Sequence, residues 1–253
     1  MTDSVLHVEV SRGVATLTLD SPANRNALSR AMRARLREAL SAALADDAVR
    51  VVVLDHTGRV FCSGMDLSEA AGGAAEDQGV NEFPDLLATL WHSPKPVLAA
   101  VRGPARAGGV GLLAACDVVV AGTSATFGFA EVRIGVVPAV ISAVCRPRMH
   151  ANAVHRLMLT GEVFDAATAR DAGLVDLAVA DDEVTATVQA QVTALAAGAP
   201  AALAETKRLL RSGTDLDFAP LLETSARFFA SAEGQEGIAA FREKRPASWV
   251  PQG

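Results

Sequence analysis

Arg59-Val60-Phe61-Cys62-Ser63-Gly64-Met65-Asp66-Leu67, followed downstream by Gly103-Pro104-Ala105-Arg106-Ala107-Gly108-Gly109-Val110-Gly111, decides how this chain is read. Each stretch is a turn of small residues. Backbone N–H groups from two such turns can converge on one carbonyl oxygen, and donors fixed in that way stabilise negative charge as it develops there.

The segments around the turns set the fold class. Val5 to Asp20 alternates apolar and polar residues about Arg12-Gly13, the pattern of a β-hairpin. Leu28, Met32, Leu36, Leu40 and Leu44 recur at fourfold spacing, which predicts an amphipathic helix over 29–44 with Ser29 as its cap. Val51-Val52-Val53-Leu54 predicts a buried strand, Val97 to Val101 a second, and Cys116 to Ala121 a third. Gly108-Gly109 opens a small-residue helix ending near Cys116. Strands alternating with helices argue an α/β class. Ala70 to Gly79 has weak periodicity and is expected to be a loop beside a site. From Asp182 onward the pattern is almost wholly helical, with a break expected around Gly213-Thr214-Asp215.

Bulk composition narrows the function. With 253 residues and 50% hydrophobic content, the chain can bury a substantial core. A net charge of -6 and a pI near 5.4, without any dense Lys/Arg run, give no footprint for nucleic acid. Cys62, Cys116 and Cys145 are widely spaced and show neither disulfide nor metal-ligand patterning, which fits a reducing cytoplasm. The first residues lack the features of a signal peptide, and no apolar run reaches membrane-spanning length. Phosphate-binding and dinucleotide-binding glycine fingerprints are absent as well.

Five ordered motifs, Asn26-Ala27-Leu28-Ser29, Phe61 to Leu67, Gly103 to Asp117, Phe127 to Pro138 and Phe241-Arg242-Glu243-Lys244-Arg245, resemble the enoyl-CoA hydratase/isomerase, or crotonase, superfamily over nearly the full length. The resemblance implies a β-spiral core of repeated ββα units over residues 1–195. It implies a C-terminal helical region over 196–253 used for self-association, and homotrimers or dimers of trimers. The implied partner is an acyl-CoA thioester; coenzyme A enters as part of that substrate, with no further cofactor and no metal.

Carried over by position, Met65 and Gly108 are the N–H donors to the thioester oxygen, and Glu131 is the acid/base. The resemblance also implies that Ser63 offers its carbonyl to the adenine amine, that Arg25 lies near the nucleotide, and that Phe241 and Lys244 contact coenzyme A across a subunit boundary. Read as residues alone, the glycines serve equally for tight packing, and Glu131 for a surface pair with Arg133. The apolar neighbours of Glu131 favour a raised pKa.

One departure bears on the reaction. Gly111 stands where hydratases of this family usually carry a further glutamate. Glycine inside a helix costs about 1 kcal/mol relative to alanine, so room for substrate or for a side chain from elsewhere is expected there. Glu69, Glu76, Asp77, Glu82 and Asp85 are candidate replacements for the missing carboxylate. Ala139-Val140-Ile141 replaces a glycine-rich turn and is expected to narrow the acyl pocket. Arg106 is expected to pair either an acidic acyl group or a loop carboxylate. Hydration of a 2-enoyl-CoA is the leading expectation because the wider motif set resembles hydratases. Isomerisation of a 3-enoyl-CoA by Glu131 alone is the alternative, and a non-catalytic acyl-CoA-binding protein is the third reading.

Overall fold

Alternating residues on either side of Arg12-Gly13 form the expected hairpin. Strand β1 (Leu6–Ser11) pairs antiparallel with β2 (Val14–Leu19), and Arg12 and Gly13 both take positive φ, 49° and 79°. Positive φ at both central positions matches the right-handed twist of the flanking strands. The computed structural model describes residues 5–69, 82–212, 227 and 231–250; the expected loop at Ala70–Gly79 and the break at Gly213–Asp215 lie outside them.

Helix α1 (Arg30–Ala45) starts where expected: the Ser29 hydroxyl accepts the Met32 N–H at 3.2 Å, and Met32, Leu36 and Leu40 are buried. Next come β3 (Val51–His56), α2 (Phe83–His92), β4 (Val97–Val101), β5 (Ala105–Arg106), α3 (Gly108–Ala115), β6 (Val118–Gly122) and β7 (Thr126–Gly128). The third predicted strand therefore begins two residues late. Cys116 ends α3 by giving its N–H to the Leu113 carbonyl, and the Asp117 carboxylate accepts the Val97 N–H at 2.8 Å. The chain continues through α4 (Ala139–Arg148), α5 (Ala151–Thr160), β8 (Val163–Asp165), α6 (Ala166–Asp171), β9 (Leu177–Val179), α7 (Val184–Ala196), α8 (Pro200–Arg211) and α9 (Ala232–Glu243). No helix among the described residues is long and apolar enough to cross a membrane.

Two sheets result. The main one runs β1-β2-β3-β4-β6-β9, parallel from β2 onward, and the second runs β5-β7-β8. Isolated bridges join Leu28 to Met65 and Cys62 to Ala105, so the second sheet's pairing continues back toward the start of the chain. Each coil thus lays a strand in the main sheet, a short extended piece beside the second, and then a helix. The result is a mixed α/β spiral whose corners stack.

Burial follows strand alternation. Leu17, Leu19, Val52, Leu54, Val97 and Ala99 face the cluster that includes α1, whereas Val51, Val53 and Leu98 meet Val192 and Ala196 of α7. Both faces of the central strands are covered, which is why they read as continuous apolar runs.

Helix α8 is tied to this core by charge. Lys207 and Arg211 each donate to the Asp117 carboxylate at 2.7 Å, and the Arg211 guanidinium lies 3.8 Å from the centre of the Trp91 ring. Replacing Asp117 with alanine leaves two largely buried cations unpaired, an expected loss of about 3–5 kcal/mol in denaturant unfolding. Lys207→Met should cost clearly less, because Arg211 and the Val97 N–H still hold the carboxylate; equal losses would contradict this reading.

His56 offers a pH test. Burial, the largest influence, pushes its imidazole below the ordinary value of 6.5, and its Nε2 accepts the Arg102 N–H at 3.0 Å. The unfolded chain therefore takes up the proton first as pH falls. The neutral ring's contribution is present in full above about 6.5 and declines from there toward the lowered folded value. Stability measured at pH 7 and pH 5 should drop more in the native protein than in His56→Gln.

Candidate active site

The site forms where two coils of the spiral stack at their corners. Pro104 accepts the Phe61 N–H at 3.0 Å, and Cys62 accepts the Arg106 N–H at 2.9 Å. These bonds lay the first quoted turn against the second. Gly109 is required at that contact, since a Cβ there would sit 2.7 Å from the Cys62 carbonyl oxygen. Gly64 is required for another reason: its φ is +94°, and a Cβ built on it would lie 3.0 Å from the Ala107 Cβ and 3.5 Å from the Gly108 nitrogen. The 63–65 turn therefore sits directly against the start of α3.

Met65 and Gly108 are thus carried by adjoining backbone. Gly108 is the first residue of α3, where an N–H has no intrahelical partner, and the helix dipole adds partial positive charge. Among the described residues neither the Met65 nor the Gly108 N–H meets a protein acceptor. Ala107, just before the helix, takes a φ of 47° and a ψ of -116°, a sparsely populated conformation for alanine. It is fixed by its N–H bond to the Gly128 carbonyl at 3.0 Å and by the Gly111 N–H bond to its own carbonyl at 3.1 Å.

The Ala107–Gly128 bond also locates Glu131. Beyond β7 the chain makes a short 3₁₀ turn, Glu131–Ile134, ended by Gly135 at a φ of 76°. Glu131 is partly buried, and its Oε2 is enclosed without a hydrogen-bond partner among the described residues. Burial pushes its carboxyl above the ordinary glutamate value. Of its apolar neighbours in sequence, Phe127 and Phe129 are fully buried whereas Val132 and Ile134 are exposed. Burial also raises the fully buried Cys145 thiol of α4, and the Glu131 charge raises it further. No ion pair joins Glu131 to Arg133 among the described residues.

Arg106 does not make the expected pair with a loop carboxylate among the described residues. Its guanidinium donates to the Thr126 carbonyl at 2.7 Å, the Thr126 hydroxyl at 2.9 Å and its own strand's Ala105 carbonyl at 3.0 Å. It braces the second sheet and pairs no carboxylate among the described residues. Of the candidate loop carboxylates, Glu69 accepts the Arg30 N–H at 2.9 and 3.0 Å, and Glu82 approaches Arg33 at 3.8 Å. Asp85 sits in the first turn of α2, and Glu76 and Asp77 lie outside the described residues.

The expected coenzyme contacts fall into two groups. Arg25 and Ser63 are brought together, with the Ser63 N–H donating to the Arg25 carbonyl at 3.1 Å. Phe241 and Lys244 lie at the C-terminal end of α9, Phe241 being 86% exposed. The contacts of that segment run elsewhere: Glu233 accepts the Ala201 N–H, Trp249 donates to the Ala197 carbonyl, and Arg50 donates to the Trp249 carbonyl. One chain does not join the two groups among the described residues. No group of three His, Cys, Asp or Glu side chains among the described residues is placed to hold a metal ion.

Two contributors were missed by the sequence reading. Asn26, fully buried, accepts the Ser21 N–H and donates to the Thr57 and Val60 carbonyls, so it pins the Arg25–Leu28 turn beside the site. Its signal was a polar residue that tolerates left-handed backbone, here a φ of 53°. Phe83 of α2, with Leu28, packs over Gly108, within 3.4 and 3.0 Å of where a Cβ would be. Nothing in the sequence gave that pairing.

The enoyl-CoA hydratase/isomerase family model matches residues 9–252. A 2,3-dehydroadipyl-CoA hydratase of Escherichia coli is 33% identical over 96% of this chain and 97% of its own length. A 1,2-epoxyphenylacetyl-CoA isomerase of the same organism is 33% identical over 94% of this chain and 95% of its own length. A crystal structure of an enoyl-CoA hydratase of Mycobacterium smegmatis superimposes with a TM-score of 0.90 at 33% identity, covering 97% of this chain and 98% of that one. With its spiral of stacked coils and its match across nearly the whole sequence, the chain belongs to the enoyl-CoA hydratase/isomerase family.

Proposed function

We propose that this chain moves a proton within a bound acyl-CoA thioester, using the Met65 and Gly108 N–H groups to hold the thioester oxygen and Glu131 as the acid/base. The observation that carries the reading is the meeting of two partnerless N–H groups at stacked turns, with a buried, partnerless carboxyl oxygen on the loop tied to the same helix start. Glu131 takes a proton from the α carbon of a 3-enoyl thioester. The electron pair spreads over the enoyl group onto the thioester oxygen, where the two N–H donors stabilise it more than the starting carbonyl. Glu131 then returns the proton to the γ carbon, giving the conjugated 2-enoyl product. One carboxylate suffices, because what it accepts it gives back.

Isomerisation is therefore the reaction that the geometry favours. Hydration is the second reading, supported by relatives that bear hydratase names. It needs a further group to orient water, and the carboxylates of the first turn are already engaged: Asp66 accepts from Ser68 and Asn24, and Glu69 accepts the Arg30 N–H. Under either reading coenzyme A runs along Arg25 and Ser63 and no other cofactor takes part. Phe241 and Lys244 would then be supplied by another copy, in a trimer or a dimer of trimers.

A parallel absorbance assay on crotonyl-CoA and a 3-enoyl-CoA tests the choice. Appearance of the conjugated enoyl band from the 3-enoyl substrate is expected, and Glu131→Gln should lower that rate by about 10²–10⁴-fold. Full activity in the variant would remove Glu131 from the chemistry. The pH profile supplies an independent check. Glu131 must be ionised to accept a proton, and burial raises its pKa, so the acid limb of kcat/KM should lie above the ordinary glutamate value of 4.5 and fall away as pH drops through the raised value. A limb at or below 4.5 would contradict the burial argument.

A further inference from the structure

Gly111 occupies the same face of α3 as Gly108, one turn further on, and that face is walled by apolar side chains. A Cβ at Gly111 would sit 2.5 Å from Ile141 Cγ2, 3.1 Å from Ile141 Cβ and 3.7 Å from Phe83 Cζ. Real Cβ atoms do not approach so closely. The obstructing atoms are not a flexible chain end: Ile141 is 3% exposed, branched at Cβ and held on α4. The room that glycine leaves on α3 is thus already filled, from the neighbouring helix. One turn beyond Ile141 on the same face of α4 is Cys145, the thiol that feels the Glu131 charge. Ile141 therefore packs on the α3 wall from a helix that begins five residues after the Glu131–Ile134 turn.

We propose that Ile141 is the specificity-determining residue of this site: it closes position 111 to any side chain, keeps the wall beside the thioester apolar, and denies a place to a water poised for addition. This rests on the proton-transfer reading given above and extends it, since it names the residue that holds the site to moving a proton. A carboxylate cannot be introduced at position 111 without first removing the branch at 141. The choice of reaction is then a packing property of the α3–α4 contact.

A double-variant cycle separates the steric claim from the chemical one. Gly111→Ala should lower the melting temperature in the native background and have little effect once Ile141→Ala is present. Ile141→Leu, which removes the Cβ branch while conserving volume, repeats the cycle if the alanine variant fails to fold. The ratio of crotonyl-CoA hydration to 3-enoyl-CoA isomerisation is then measured in each protein. In Ile141→Ala or Ile141→Leu it should rise about tenfold, equivalent to about 1.4 kcal/mol between the two barriers. The pair Gly111→Glu with Ile141→Ala should raise it further, whereas Gly111→Glu alone should not fold stably. An unchanged ratio with intact stability coupling would reduce Ile141 to a packing residue and overturn the proposal. Absence of turnover of either thioester by the native protein would overturn the proton-transfer reading itself, whatever the cycle gave. Additive stability losses in the cycle would instead refute the closure of position 111 while leaving that reading standing.

Discussion

The hydrogen bond from the Arg106 N–H to the Cys62 carbonyl, 2.9 Å long, holds one coil of the spiral on the next at the corner where the site forms. The Gly64 turn and the helix start at Gly108 lie on either side of it. Without that stacking the two N–H donors would belong to separate loops, each satisfied by water. With it they are fixed before substrate arrives, and fixed donors need no reorganisation as charge develops. A buried, parallel sheet is what makes the bond rigid: β3 and β4, paired in register, deliver residues 61–65 and 105–108 side by side.

Burial then sorts the charges. Asp117 is enclosed but meets Lys207, Arg211 and a backbone N–H, so it works as a tie between α8 and the sheet. Arg106 is enclosed and spends its donors on Thr126. Glu131 is partly buried with one enclosed oxygen left without a partner among the described residues, which carries a desolvation cost that no hydrogen bond offsets. Its raised pKa follows from the same enclosure. Asp117 and Glu131 thus differ in what burial leaves them: one is fully partnered, the other keeps an enclosed oxygen free of protein partners among the described residues.

Much of this was legible in the residues. The hairpin at Arg12-Gly13, the Ser29 cap, the helix over 30–45 and the strands at 51–56 and 97–101 follow from local periodicity and turn chemistry, which act over a few residues. The second sheet was not legible: β5, β7 and β8 are two or three residues long and have no period to detect. The small-residue turns were visible, but their meeting depends on coil stacking, a contact between segments 43 residues apart along the chain by the bridge from Cys62 to Ala105. Arg106 was misread because its partners, the Thr126 carbonyl and hydroxyl, come from that unseen sheet. The raised pKa expected of Glu131 from its apolar neighbours is met, with Phe127 and Phe129 buried while Val132 and Ile134 face outward.

Helix α3 lies against both the stacked turns and α4. Every one of its residues is buried, so it has no polar face and its neighbours approach from all sides. Such a helix is specified by residue size, with glycine placed wherever another group comes closest: the Cys62 carbonyl at Gly109, Leu28 and Phe83 at Gly108, Ile141 at Gly111. The first of these contacts lies where the coils stack, the second borders the helix start, and the third fills the space one turn further along the same face. A change that would give the site a second carboxylate must therefore be made inside the most tightly packed element of the fold, which couples the range of accessible chemistry to the stability of the core.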